Sequence, residues 1–355
     1  MKGMDQLKIA KIDNKNQWEE LNRNCREKTF MQSWSSKEWR QAMGQKVGLL
    51  GVWQDEKLIG GALYVVMPII KKFGLNFDFI FIPHGPIVHN EHESEKDQIT
   101  LRVVTYLREL ARNDKNIIFL RIAPAWKKNI SEEKFLEKSG WRVAPMFIVP
   151  ETTWTLDISQ AEEMILRGMR KTTRYLIKKG SNNPDLTITS GTDAGSFNNF
   201  LGLYKETVGR HNFQAFTLDY LKKELEFLRR EDQILILTAL YQGKPIASAM
   251  IIFYQGTAYY HQGASSAAQP KDAPGSYLIQ WTAIQEARRR GCQFYNFWGI
   301  ADKDNPKHAY HGLSLFKKGF GGFRTDYLLT HDMPLNWLYW FNYFLEKNRR
   351  NKRKL

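Results

Sequence analysis

The sequence predicts an α+β protein in which one unit occurs twice in tandem, and three observations carry that prediction. An apolar hairpin pattern at 49–66, LLGVWQDEKLIGGALYVV, returns at 235–254 as LILTALYQGKPIASAMIIFY. Both have alternating arms about a polar turn, Gln54-Asp55-Glu56-Lys57 in the first and Gln242-Gly243-Lys244 in the second. An amphipathic helix that runs through polar residues into a strand, 99–123, returns at 276–301. A short helix closing on glycine and an aromatic, KFLEKSGWRV at 134–143, returns as LFKKGFGGFR at 315–324. The offset stays at roughly 175 to 190 residues, which marks duplication of a whole domain and not a solenoid.

Each copy therefore reads hairpin, further strand, helix, strand, short helix, Gly-aromatic, strand. The first copy occupies 1–150 and the second 151–325, with 149–163 as the join and Trp154, Thr155 and Leu156 opening the second sheet. Residues 326–355 are expected to pack back on the first copy and to end in a basic tail. This element order resembles the GCN5-related N-acyltransferase (GNAT) fold, a mixed sheet whose central strands splay apart to admit an acyl donor. The segment FLEKSGW resembles that fold's aromatic, x, x, x, Gly, aromatic helix end. The expected fold class is thus α+β, a tandem duplication of the GNAT fold.

Composition sets bounds. A chain of 355 residues is long enough for two cores, and its 43% hydrophobic content is that of a folding sequence. No apolar run reaches the length of a membrane span, and no secretory leader precedes the first element, so the cytoplasm is the expected compartment. Lysine and arginine exceed aspartate and glutamate by 52 − 37, a net charge of +15 that suits a polyanionic partner: nucleic acid, a nucleotide diphosphate or an anionic membrane face. Cys25 and Cys292 stand alone, without ligand-spaced histidines, which predicts two reduced, inert thiols and no metal site.

The segments FIPHGPIV, RGMRKTTRYLIKKG, YYHQGASS, GSYLIQWTAIQEARRRGCQFYNFWGI and HGLSLFKKGFGG, with FMQSWSSKEW more loosely, resemble in order and spacing the Fem (FemABX) family of non-ribosomal peptidyltransferases. The resemblance implies transfer of an amino acid from aminoacyl-tRNA to the side-chain amine of the stem peptide of a peptidoglycan precursor, lipid-linked or UDP-linked, as the start of an interpeptide bridge. It implies no cofactor, since an aminoacyl ester is already activated. Only 229–233 lies where some members insert a helical arm, so this chain resembles the compact type.

Carried onto this sequence, the family lysine of the Phe-Lys-x-x-Phe-Gly motif is Lys317. Its ammonium would stabilise the negative charge that aminolysis builds on the carbonyl oxygen. Phe316 would wall the site, and Gly319 would end the helix in a left-handed cap. Arg210 matches the arginine that binds the precursor's diphosphate, a task suited to its planar fork of donors; Lys37 and Arg40 are candidates for the companion phosphate contact. Tyr260 is expected to line the acceptor channel, with Tyr259 in the core on the other face. His84 and His89 stand where the family has, respectively, a basic residue or tyrosine and an aspartate; a neutral histidine at either position is able to accept a proton from the attacking ammonium, and either is equally an ordinary loop histidine.

Three further segments are read from their own residues. Helical spacing through 164–184, which contains no acid, places Arg167, Arg170, Lys171, Arg174 and Lys178 on one face opposite Ile165, Met169 and Leu176: a phosphate-tracking stripe, or else a solvated face, whose polyanion the family resemblance implies to be tRNA. The loop 265–278 has one glycine, Gly275, and is poorly built to cradle a coenzyme A pyrophosphate. Aromatics of 334–345 beside the basic residues of 347–354 suit either docking on an anionic membrane leaflet or packing on the first copy with a loose tail. An acyl-CoA-dependent N-acyltransferase, or a non-catalytic RNA- or membrane-binding protein, are the alternatives to tRNA-dependent transfer.

Overall fold

The computed structural model describes residues 7–72, 75–211, 215–268, 270, 272–301, 306 and 310–353. The chain divides into two compact units, Met1–Glu151 with Asp326–Leu355, and Thr152–Thr325.

The first unit begins with β1 (Leu7–Lys11), α1 (Lys15–Arg23), α2 (Trp34–Ala42), β2 (Lys46–Gln54), β3 (Lys57–Lys72), β4 (Leu75–Pro83), β5 (Ile87–Val88), α3 (Lys96–Arg112), β6 (Ile117–Ala123), α4 (Ile130–Lys138) and β7 (Arg142–Val143). The β2–β3 hairpin turns at Asp55, which takes φ 52°. The apolar stripe of α3, Ile99, Val103, Val104 and Leu107, packs with Leu50, Val52, Ile80 and Ile82 of the sheet. The parallel neighbours β4 and β6 stay paired from Asp78↔Ile117 to Pro83↔Ala123. His84 N–H adds one more rung by donating to Ala123 O at 2.8 Å.

The second unit comprises β8 (Thr152–Asp157), α5 (Glu162–Gly168), α6 (Lys171–Ser181), β9 (Leu186–Gly191), α7 (Ala194–His211), α8 (Leu218–Arg230), β10 (Ile234–Tyr241), β11 (Lys244–Tyr254), β12 (Thr257–Ser265), α9 (Gly275–Arg289), β13 (Phe294–Gly299), α10 (His311–Lys318) and β14 (Phe323–Asp326). Its sheet runs β14-β8-β13-β12-β11-β10-β9. The β10–β11 turn puts Gln242 and Gly243 at φ 49° and 75°, the paired positive dihedrals of a tight hairpin. The central parallel pair behaves differently from its counterpart. β12 and β13 bond only across Thr257↔Phe294, Ala258↔Tyr295 and Tyr259↔Asn296, and then part. A bulge in the β11–β12 ladder and a second in the β13–β8 ladder, between Asn296 and Gly299, bend the two strands at the parting point. Trp298 sits in the second bulge at φ 65°, a strained value for a bulky residue.

After β14 the chain completes the first unit's sheet with β15 (His331–Pro334), then ends in α11 (Tyr339–Arg353). β15 lies between β6 and β7, giving the order β1-β2-β3-β4-β6-β15-β7 with β5 on β3. Arg121 of β6 is buried with a forked contact to Asp332 (Nε–Oδ1 2.6 Å, Nη2–Oδ2 2.8 Å) and a further bond to Glu346 of α11 at 2.7 Å. These fully partnered charges fix where α11 lies on the sheet.

Candidate functional site

Where β12 and β13 part, backbone groups on β13 and the residues after it lose their strand partner, and side chains supply the replacement. Asn296 Oδ1 accepts from Trp298 N–H at 2.7 Å, Ser314 Oγ accepts from Ala301 N–H at 2.9 Å, and Lys317 Nζ donates to Gly299 O at 2.6 Å. Ser314 and Lys317 are three residues apart, so one face of α10 serves the opened seam. Lys317 is only 4% exposed, and its Nζ lies 5.7 Å from the Tyr260 ring centroid. Burial brings its pKa down from 10.5 to about 7. The expectation from sequence is an ammonium at this position; the structure buries the amine, and desolvation makes it far easier to deprotonate than an ordinary lysine.

Phe316, beside it, packs edge-on against Tyr277 at 5.0 Å and Phe320 at 5.3 Å. Tyr260 is half-buried with its phenol pushed up to about 12 by desolvation, and its hydroxyl lies so close over Gly263 that a Cβ there would meet it at 1.8 Å. Tyr259 is buried against Trp298, ring centroids 5.7 Å apart. Gly319 does not form the expected left-handed cap: it is right-handed at φ −61°. The left-handed residues are Gly321 and Gly322 at φ 80° and 91°, where a Cβ would strike Gly168 O and Thr155 O.

A pair that sequence reasoning missed adjoins this region. His261, the residue after Tyr260, has Nε2 at 3.0 and 3.1 Å from the two carboxylate oxygens of Glu224, and both side chains are buried. Its ring is 6.2 Å from that of Trp298. The available signal was in α8, where Glu224 interrupts the apolar stripe Leu221, Leu225, Leu228. A carboxylate on a buried stripe requires a partner.

Arg210, near the end of α7, donates Nη2 to both Ser265 O and Ser265 Oγ at 3.1 Å, placing its guanidinium at the last residue of β12. The basic stripe is confirmed in exposure and corrected in form. Arg167, Arg170, Lys171, Arg174 and Lys178 are all exposed, but on two helices, because the chain breaks at Met169 (ψ 155°) between α5 and α6. Arg174 is also occupied locally: Nη1 donates to Met169 O at 2.5 Å and Arg167 O at 3.1 Å, capping the open carbonyls that end α5.

Four candidates lie in the first unit. Lys37 and Arg40, expected to reach phosphate, are instead mostly buried across tryptophans of their own helix. Lys37 Nζ is 3.8 Å from the Trp34 ring and the Arg40 guanidinium 4.4 Å from that of Trp39. His84 is a core histidine: Nδ1 is 2.8 Å from Thr29 Oγ1, its ring packs on Tyr327, and burial lowers its pKa to about 4, so it is neutral. His89 accepts Glu91 N–H on Nδ1 at 3.2 Å and so caps the short helix Asn90–Glu95; burial lowers its pKa as well. Neither histidine has the free, accessible imidazole that the base reading needs.

Both cysteines are buried thiols, their pKa raised by desolvation to about 12 for Cys25 and about 11 for Cys292. Among the described residues no cluster of three His, Cys, Asp or Glu side chains is placed to hold a metal. Gly275, the one glycine of the loop before α9, faces the core: a Cβ there would meet Ala239 Cβ at 2.9 Å and Ile246 at 3.0 Å. Its role is close packing of helix on sheet; Gln269 and Lys271 of that loop lie outside the described residues, as do Lys354 and Leu355 of the tail.

The model of the FemAB family matches residues 14–240 and 226–347. The lipid II:glycine glycyltransferase of Staphylococcus aureus (strain USA300) is 28% identical over 116 residues, 33% of this chain but only a quarter (25%) of that relative's length. The crystal structure of FemX superposes with a TM-score of 0.81 at 15% identity, covering 96% of this chain and all (100%) of that one. A tandem GNAT protein from the clavulanic acid biosynthesis pathway gives 0.57 at 11% identity over 93% of this chain and 99% of its own. These two likenesses establish the tandem GNAT fold.

Proposed function

We propose, from the premise that this chain belongs to the FemAB family, that it is an aminoacyltransferase of peptidoglycan bridge formation, carrying an aminoacyl group from aminoacyl-tRNA to the side-chain amine of a precursor's stem peptide in the cytoplasm. The single observation that carries the reading is Lys317: a lysine sunk in the opened β12–β13 seam, bonded to Gly299 O and flanked by Tyr260. The precursor's ammonium first gives up a proton to water; its nitrogen then attacks the ester carbonyl, negative charge grows on the carbonyl oxygen, and on collapse the ribose oxygen leaves with the proton that the attacking nitrogen sheds. Lys317 is poorly solvated before the reaction, with its pKa near 7. An oxyanion arriving beside it raises that pKa and completes the ion pair, so the interaction is stronger in the transition state than in the ground state.

In this scheme Tyr260 and Phe316 shape the reacting pocket, and Arg210 exchanges its Ser265 contacts for the precursor's diphosphate. Arg167, Arg170, Lys171 and Lys178 follow the tRNA backbone. Much of the acceleration comes from holding two bound substrates together, and no cofactor is needed. The test is incubation of the purified chain with charged tRNA and, separately, a UDP-linked and a lipid-linked precursor, followed by mass spectrometry. A gain of one aminoacyl residue on either acceptor is expected; no gain on both, or a gain with acetyl-CoA in place of charged tRNA, overturns the reading.

A further inference from the structure

The last helix of the chain is fastened on one side and bare on the other. Tyr339, Asn342, Glu346 and Arg350 recur at helical spacing and face inward. Tyr339 and Asn342 are buried, Glu346 bonds Arg121, and Arg350 Nη1 donates to Pro145 O at 3.4 Å. The outward face is aromatic in its first half: Trp337, just before the helix, is 76% exposed, Phe341 68% and Phe344 58%, with Trp340 and Leu345 exposed beside them. Arg142 stacks on Trp340 at 4.6 Å, and next to it Val143 adds another exposed apolar side chain. The second half of the helix carries exposed Lys352 towards this face and exposed Lys347 and Arg349 on its two flanks. The helix has one acid, Glu346, and it is turned inward to Arg121.

We propose that this face of α11 docks on an anionic lipid bilayer, with Trp337, Trp340, Phe341 and Phe344 at the headgroup–acyl boundary and Lys347, Arg349 and Lys352 among the headgroups. A 15-residue helix with a basic second half lies in the interface and does not cross it; no described helix is long and apolar enough to span a bilayer. Tryptophan has its preferred depth at that boundary. The charge selects the partner: a chain of net charge +15, with an acid-free outward face, is attracted to anionic lipid and repelled by a second copy of itself. The arrangement is independent of the transfer reaction, since a membrane-docked first unit needs no particular donor or acceptor.

Flotation of the full-length chain with phosphatidylcholine vesicles, with and without phosphatidylglycerol, tests this. Recovery with the anionic vesicles at least tenfold above that with phosphatidylcholine alone is expected, falling as salt is raised. The double variant F341S/F344S is expected to lose at least tenfold in partitioning with an unchanged circular dichroism melting curve; W337S, outside the helix, serves in its place should the double variant fail to fold. The triple variant K347Q/R349Q/K352Q is expected to lose the anionic preference, roughly fivefold per side chain. Absence of wild-type binding to both vesicles, or equal binding by wild type and F341S/F344S, overturns the proposal. So does a sedimentation result in which F341S/F344S abolishes a dimer and leaves vesicle binding untouched, which assigns the face to a second copy.

Discussion

The two copies of the fold differ most at their central parallel pair. In the first unit β4 and β6 remain zipped to Pro83↔Ala123, and His84 N–H extends the zip; in the second, β12 and β13 hold for three residue pairs and then part. A closed seam satisfies its backbone with backbone and leaves no slot. An open seam exposes peptide groups that must be met by side chains, here Asn296, Ser314 and Lys317. The same deficit that costs the second sheet regularity therefore draws a lysine into a place where solvent does not reach. Of two copies of one fold, the first keeps its central pair joined and the second opens it, and the proposed chemistry is placed in the second.

The largest test of that contrast is K317M. If the open seam is the reacting site, kcat/KM for aminoacyl transfer falls by about 10²–10³-fold, the cost typical of removing one oxyanion-stabilising donor; unchanged turnover, read by product mass against time, breaks the assignment of chemistry to the second copy. Next is the closed seam. His84 titrates near 4 in the fold and at 6.5 when unfolded. The unfolded chain thus takes up the proton first, and stability is lost as pH falls from 6.5 towards 4, by about 3 kcal/mol from this group. Urea unfolding of wild type and H84Q across that range should show the loss shrinking in the variant.

Lys317 repeats the same sense at higher pH. Its folded pKa near 7 lies below its unfolded 10.5, so the unfolded chain keeps a proton that the folded chain has released, and stability rises with pH between those values. From pH 7 to pH 9 the stability gap between wild type and K317M should shift by about 2 kcal/mol in favour of wild type; a constant gap means that the amine is not held neutral. The smallest expected effect belongs to the exposed cations on α5 and α6. Replacing Lys171 or Lys178 by glutamine should weaken tRNA binding by roughly threefold and lower the salt-dependence slope by about one. An equal effect from a lysine on α4 of the first unit, such as Lys134→Gln, would erase the distinction between the copies.

The hairpins, with their turns at 54–57 and 242–244, and the helices α3 and α9 were legible because each obeys a local rule of period two, period 3.6 or turn chemistry; the left-handed cap expected at Gly319 was not, since the positive φ falls at Gly321 and Gly322. The basic stripe was legible as charge but not as geometry. Its spacing fits one helix, and the extended backbone at Met169, with the Arg174 contacts to the carbonyls ending α5, makes it two. The Glu224–His261 pair joins residues 37 apart on α8 and β12, so it has no periodicity of its own. His84 and His89 were ambiguous for the same reason: a ring in a loop is a base or a structural bond according to what surrounds it, and here Thr29 and the Glu91 amide surround them.

By itself the sequence determined that this protein is two copies of one α+β unit with a basic surface and a Phe-Lys motif at the end of the second, because repetition, periodicity and charge are properties of order along a chain. Only the tertiary structure decided that one seam is shut and the other open, that Lys317 is buried at a pKa near 7, and that Lys37, Arg40 and His84 are packed within the first unit. Burial and pairing depend on what arrives from distant segments, and desolvation, which sets the charge of an amine or an imidazole, is the sum of those arrivals.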